Sequence, residues 1–365
     1  MSSSIQIFAG QTAYRHIQQY GLQAADIAVV PAAAGGPKGL ILQAMDQWLF
    51  GDWLAATPRE RSLIGASIGS WRMAAAACAD PAAAFARLAD LYCEQTYPEK
   101  PSAEYVTTEI QGMLQRFIGG YEQEILQHPY QRLHILINRG QRGLSAPANM
   151  KAAKAGFIAA ALANLRGREH LAKHLERVVM SDTRDALHWL KTPFDAFSSQ
   201  FCALSSANLQ SALLASGTLP LIMQEVRAVA QAPSGYYWDG GIIDYHLAFP
   251  YARLLSNTRS ELVLYPHFSD QIIPGWLDKA LPWRRAARGH FAAWLDNVVL
   301  VAPSRDFIRS LPRAKLPDRK DFAYYGLQHA QRISQWRLAI AESQRMRDDL
   351  AAFIAQPDMR AVRLF

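Results

Sequence analysis

The chain has 365 residues, half of them hydrophobic and 19% charged, with a formal net charge of +7. This composition marks a globular chain and provides for a large buried core. The three cysteines, Cys78, Cys93 and Cys202, show no metal-ligand spacing and cannot pair completely, so they read as reduced thiols of a cytoplasmic protein.

Met1-Ser2-Ser3-Ser4 lacks the basic and apolar regions of a signal peptide. Asp26-Ile27-Ala28-Val29-Val30 reads as a buried strand, and Ala32-Ala33-Ala34-Gly35-Gly36-Pro37-Lys38-Gly39 follows it. From Leu40 to Phe50 apolar residues recur at helical spacing, ending at Gly51. Strand, glycine turn and helix together offer backbone N–H groups to an anion. Gly35 and Gly36 are the candidate donors, because bare glycine admits an oxygen closely, whereas Pro37 has no N–H. A plain strand-to-helix turn would use the same residues.

Leu63-Ile64-Gly65-Ala66-Ser67-Ile68-Gly69 is the most informative stretch. An apolar run enters a Gly-x-Ser-x-Gly turn and leaves it in an Ala-rich helix. The spacing suits a nucleophile elbow, with Ser67 thrust out between strand and helix beside the positive end of the helix dipole.

Asp80-Pro81 fits the cap and first position of a helix running to about Tyr97, and residues 107–127 read as helical. Leu133 to Ile137 returns to strand, and 148–190 is helix-rich. Within it, the apolar stretch near Phe157 to Leu165 is too short to span a bilayer. Phe201 to Leu204 is a strand, with Ser206 or Asn208 capping the helix that leads to Ser216. Gln224–Ala230 and Tyr236–Asp239 form a candidate hairpin around Pro233-Ser234-Gly235. Tyr236-Tyr237-Trp238 delivers Asp239-Gly240-Gly241, either a base on a rigid strand end or an ordinary turn. Beyond Glu261–Tyr265, another strand-like run, residues 272–300 hold Trp276, Trp283 and Trp294 among Arg284, Arg285 and Arg288. That mixture suits a lipid–water boundary, and equally an amphipathic surface helix with core tryptophans. Asp321 to Gln356 reads as one or two long packing helices.

Gly35-Gly36-Pro37-Lys38-Gly39, Gly65-Ala66-Ser67-Ile68-Gly69 and Asp239-Gly240-Gly241 resemble, in order, three signatures of patatin-like phospholipases. Ala215-Ser216-Gly217-Thr218-Leu219-Pro220 resembles the family's Ala-Ser-x-x-x-Pro segment. The resemblance implies a Ser-Asp dyad with no catalytic histidine: Ser67 as nucleophile, Asp239 as its base, Gly35 and Gly36 as the oxyanion hole, and no metal or cofactor. It implies a three-layer α/β/α sandwich with a mainly parallel central sheet, which the alternation of strands and helices also indicates. One departure concerns the glycine loop, which the family commonly opens with Asp-Gly-Gly-Gly and this chain with Ala33-Ala34-Gly35-Gly36. The Gly-x-Ser-x-Gly elbow also serves Ser-His-Asp triads, and His246, His267 and His290 all follow Asp239, with His267 the best rival base.

The expected function is cleavage of carboxylic esters of lipids through an acyl-serine. A non-lipid esterase, a thioesterase, an acyltransferase and a noncatalytic regulatory protein are the alternatives. Residues 1–260 form the expected catalytic domain and 261–365 a C-terminal strand and helical extension packed on it. The positive charge supports transient contact with an anionic membrane surface by a cytoplasmic protein. No zinc spacing or recognition motif points to nucleic acid.

Overall fold

The structure is a computed structural model that describes residues 3–254 and 261–365. Met1 and Ser2 lie outside the described residues, as does the side chain of His290. Among the described residues ten strands form one sheet: β1 (Ile5–Ala9), β2 (Ile27–Ala32), β3 (Arg61–Ala66), β4 (Gln131–Gly140), β5 (Leu175–Ser181), β6 (Ser199–Ala203), β7 (Tyr237–Asp239), β8 (Leu262–Pro266), β9 (Val298–Pro303) and β10 (Val362–Leu364). Their order is β10-β1-β9-β8-β2-β3-β4-β5-β6, with β7 also on β4. Six pairings are parallel; β1 with β9, β4 with β5 and β4 with β7 are antiparallel. Helices flank the sheet in the expected three-layer α/β/α arrangement. β2, β3, β5, β8 and β9 are buried along their whole length, the pattern of strands covered on both faces. The residues after 260 therefore place β8 and β9 inside the sheet and β10 at its edge.

The strand register positions the site. β3 runs parallel to β4 and stops with Ala66 opposite Leu136. β7 runs the other way and stops with Asp239 opposite Ile137, the next residue of β4. β5 already occupies the opposite edge of β4 over this stretch, so β3 and β7 lie end to end on one edge. Their C-terminal ends meet there. Ser216, at the end of the helix Leu209–Ser216, fastens the junction. Its Oγ accepts a hydrogen bond from the Ser67 N–H at 2.8 Å and donates to the Leu136 carbonyl at 2.7 Å. With that proton committed, Ser70 Oγ donates to Ser216 at 2.8 Å.

A buried ion pair sets the helix that follows Ser67, Ile68–Ala76. Arg72 donates from Nε and an Nη to both oxygens of Asp46, at 2.7 and 2.8 Å, and so ties this helix to Gln43–Trp48 behind the glycine loop. Burial pushes the Asp46 carboxyl up, and the Arg72 guanidinium opposes that shift.

Several elements depart from the sequence reading. The segment 148–190 contains β5, where Glu176 and Arg177 are buried and ion-paired and so hide a strand behind two charges. The helix after Asp80 ends at Cys93, and Gly119-Gly120 splits 107–127 into two helices, Gly120 at φ +90°. Asn208 sits at the expected cap, but its Oδ1 accepts from Ser205 N–H rather than from the helix. The hairpin reduces to one bridge between Val226 and Tyr237, because β7 pairs with β4 instead. Trp276 and Trp294 lie on short 3₁₀ turns, not on an amphipathic α-helix.

Removing one partner of a buried charge pair strands the other. Asp46→Ala, which leaves Arg72 unpaired at 3% exposure, should cost about 3–5 kcal/mol in urea unfolding. Ser216→Ala leaves the Ser67 N–H and the Leu136 carbonyl without that partner and should cost about 1–3 kcal/mol, read as a lowered Tm.

Candidate active site

Ser67 occupies the turn between β3 and its helix with φ 55° and ψ −131°, a conformation that costs a non-glycine residue energy and that strand and helix together enforce. The flanking glycines have separate reasons. A Cβ on Gly65 would lie 2.4 Å from Ser70 N, in the first turn of the helix. A Cβ on Gly69 would lie 2.0 Å from the Ala32 carbonyl, where the helix crosses the end of β2.

Ser67 Oγ donates to Asp239 Oδ2 at 2.7 Å, with 172 positions between them in the chain. Asp239 Oδ1 accepts the Gly241 N–H at 2.7 Å. The backbone around the aspartate is tied on both sides: its N–H donates to the Thr218 carbonyl at 2.9 Å, and Asn138 Nδ2 donates to the carbonyls of Asp239 and Gly240. Behind the turn, Asp244 receives Arg177 through bonds of 2.7 and 2.8 Å. Ser67 and Asp239 are 3% and 5% exposed. Burial raises the Asp239 carboxyl above its ordinary range, against the Arg319 guanidinium, the Ser67 hydroxyl and the Gly241 N–H, which favour the charged form.

The two candidate donor glycines are placed differently. Gly35 lines the same cavity as Ser67 and Asp239, and a Cβ there would strike the Phe268 ring at 2.4 Å. Gly36, in the left-handed region at φ +58°, is buried, with Arg319 Nε 3.0 Å from the place of its missing Cβ. Among the described residues neither N–H has a hydrogen-bond acceptor. Ala33 and Ala34, where the resemblance would put acid and glycine, are core residues; the Ala34 N–H donates to Tyr245 O at 2.9 Å.

His267 and His246 face one another at 4.3 Å, fully buried beside Phe268. His267 Nδ1 meets the Ser269 backbone, and His246 Nδ1 the backbone of Gln271 and Ile273. Burial holds both rings neutral, pushing His267 down to about 3. Neither bonds to Ser67 or Asp239. Among the described residues no group of three or more His, Cys, Asp or Glu is arranged to hold a metal ion.

Two cavities meet at Ser67. The larger, about 570 Å³, is mainly apolar, walled by residues including Trp71, Tyr97, Val106, Ile110, Met223 and Phe322. The smaller, about 380 Å³, contains Gly35, Asp239, Lys38, Lys279, Arg319 and Lys320. Arg319 and Leu219 line both. Sequence patterning gave no sign of Arg319, which stands in an irregular loop, nor of the fastening role of Ser216, whose motif alone was visible. Trp276 lines the smaller cavity at its surface, whereas Trp294 packs edge-on against Phe194 and Phe291. Arg284 and Arg285 are spent inside the fold, on Asp278 and on the carbonyls of residues 278, 281 and 284. Among the described residues no helix is long and apolar enough to cross a membrane.

No match to a curated protein was found. Among solved structures, VipD from Legionella pneumophila is similar at 13% identity, with 95% of this chain and 70% of that chain covered and a TM-score of 0.36. The family model for patatin-like phospholipases matches residues 41–249, a span that holds Ser67, Ser216 and Asp239 and begins just after the glycine loop. That span is more than half of the chain, and the chain belongs to the patatin-like phospholipase family.

Proposed function

We propose that the protein is a serine acyl hydrolase that cleaves carboxylic esters of lipids with a Ser67–Asp239 dyad. The observation that carries the reading is the 2.7 Å hydrogen bond from Ser67 Oγ to Asp239 at the meeting point of an apolar and a basic cavity. A serine hydroxyl is a weak nucleophile until a base takes its proton during attack. Asp239, desolvated and therefore more basic than an ordinary aspartate, takes that proton as Oγ adds to the ester carbonyl. The oxyanion forms beside the N–H groups of Gly35 and Gly36, each such donor being worth ~3 kcal/mol of barrier. Asp239 next protonates the departing alkoxide. It then deprotonates the water that releases the acyl group from Ser67. The acyl chain lies in the larger cavity. None of these steps calls on a metal or cofactor.

Residues 1–260 supply this machinery, and 261–365 pack on the same domain and contribute Arg319 and Lys279 to its wall. Two of the apolar residues that line the cavities, Ile222 and Trp276, are 49% and 38% exposed. An apolar rim of this kind beside lysines supports transient contact with an anionic membrane by a cytoplasmic protein.

A fluorophosphonate should label Ser67, mapped by peptide mass spectrometry, and labelling elsewhere or none would remove the proposed nucleophile. Ser67→Ala should lower kcat roughly 10³-fold or more, and Asp239→Asn roughly 10²- to 10⁴-fold. Turnover of short-chain or thioester donors in preference to long-chain lipid esters would favour the non-lipid alternatives.

The base works only as carboxylate, so kcat/KM should fall as pH drops through the Asp239 pKa, with its inflection above the ordinary 3.8. Arg319 depresses that pKa, so Arg319→Gln should move the acid limb to higher pH. An unmoved limb would take Asp239 out of the rate-determining proton transfer.

A further inference from the structure

Arg319 supports the charge on Asp239 without any partner of its own. Among the described residues its side chain makes no hydrogen bond and no salt bridge. It lines both cavities with Ser67, and its Nε stands 3.0 Å from the place of the missing Gly36 Cβ. A long side chain that nothing grips is aimed by the backbone that carries it, so the surrounding turn decides where the charge stands.

That turn is tightly closed. Asp318 Oδ1 accepts the Lys320 N–H at 2.8 Å, and Asp321 Oδ2 accepts the Asp318 N–H at 3.0 Å. The Asp321 N–H donates to the Asp318 carbonyl at 3.1 Å, so Arg319 lies inside a loop that two aspartates shut. Asp321, 3% exposed, also receives Arg313 Nη1 and Lys315 Nζ on Oδ1, each at 2.7 Å. Its Oδ2 accepts Trp336 Nε1–H at 2.9 Å. Trp336 belongs to the helix His329–Ala355, and its ring is buried in one cluster with Leu40, from the segment Gly36–Leu42 that continues the glycine loop. The Arg332 guanidinium stands 4.5 Å from the ring of Trp336 and 4.5 Å from that of Phe322, the residue after Asp321. One indole therefore joins the Arg319 turn to the glycine loop.

We propose that Asp321 and Trp336 are positioning residues: the bond between them holds Arg319 in register with the glycine loop, beside Ser67 and Asp239. The proposal rests on the serine hydrolase reading above. Both residues lie beyond the span 41–249 that the family model matches, so this support for the base comes from outside that span. Asp321 is itself a carboxylate over the range in which Asp239 titrates. Burial raises its carboxyl, but Lys315, the Asp318 N–H and Trp336 outweigh burial and hold it below the ordinary range. The other titratable groups facing Asp239 are Tyr92 and Tyr245, both pushed up by burial and therefore neutral. Lys38, Lys279, Lys320 and Asp318 complete the charged wall of its cavity.

The test reads the acid limb of the kcat/KM profile. Trp336→Phe keeps every charge and removes the Nε1–H, and the limb should move up by roughly half a pH unit, part of the shift in Arg319→Gln. Asp321→Asn tests the sign. Loss of a nearby negative charge by itself lowers the Asp239 pKa, whereas release of Arg319 raises it, so the limb should again move up. Combined with Arg319→Gln, neither substitution should add a further shift, because each acts through that guanidinium. A limb that stays put in Trp336→Phe, that moves down in Asp321→Asn, or that shifts additively would overturn the proposal. Trp336→Phe leaves Arg313 and Lys315 on Asp321, so it carries the test if Asp321→Asn does not fold. Carbon-13 NMR of the Asp239 carboxyl, assigned by its absence in Asp239→Asn, follows the same titration without turnover. A raised Asp239 pKa in Trp336→Phe, with no hydrolysis and no fluorophosphonate label in the wild type, would sink the hydrolase reading and leave the positioning role. An unmoved Asp239 pKa in a protein that hydrolyses lipid esters would overturn the positioning role and leave the hydrolase.

Discussion

Everything at the proposed centre depends on β4 being longer than β3. The strand continues past Leu136, the partner of Ala66, and its next residues accept β7 from the opposite direction. Two strands that approach head to head along one template leave their final residues side by side, which brings Ser67 and Asp239 within hydrogen-bond distance. The approach is close: a Cβ on Gly240 would lie 2.1 Å from the Leu136 carbonyl, so only glycine can follow the aspartate. Backbone ladders and one serine hydroxyl therefore set the geometry, with little left to side-chain freedom.

That geometry places a carboxylate where little solvent reaches it. Desolvation alone would neutralise Asp239, while a fully compensated carboxylate would be a feeble base. The site lies between these limits. Two neutral donors, the Ser67 hydroxyl and the Gly241 N–H, and one guanidinium, Arg319, support the charge. The contrast with Asp46 is instructive. It is equally buried but grips Arg72 through two bonds, an arrangement for holding helices together.

The parts legible in the sequence were those whose physics is local. Gly65 announces an elbow because a Cβ there would strike the first turn of the helix that follows, at Ser70, whereas the reason for Gly69 lies in β2, at Ala32. The run Val29-Val30 and the Leu133–Ile137 segment announce buried strands by composition. β5 was illegible because Arg177 carries a charge into the core, where Asp195 and Asp244 neutralise it from distant loops. The pairing of β7 could not be read either, since its partner lies about a hundred positions upstream: Asn138 and Asp239 are 101 apart. Arg319 and Ser216 act by position in space, and no periodicity marks them. His267 is the converse case: its place after a strand was readable, but its burial against Ser269 and Phe268 was not.

The sheet also has an order of assembly written into it. β1 lies between β9 and β10, with Ile5 opposite Pro303 and Ile7 opposite Val362, so the first strand to be made waits for two of the latest before it has neighbours. The loop carrying Arg319 comes late as well. A nascent chain on the ribosome thus possesses its serine and aspartate well before the guanidinium beside them, and contacts of such long range are slow to form. Synthesis itself delays the moment at which the proposed centre is complete.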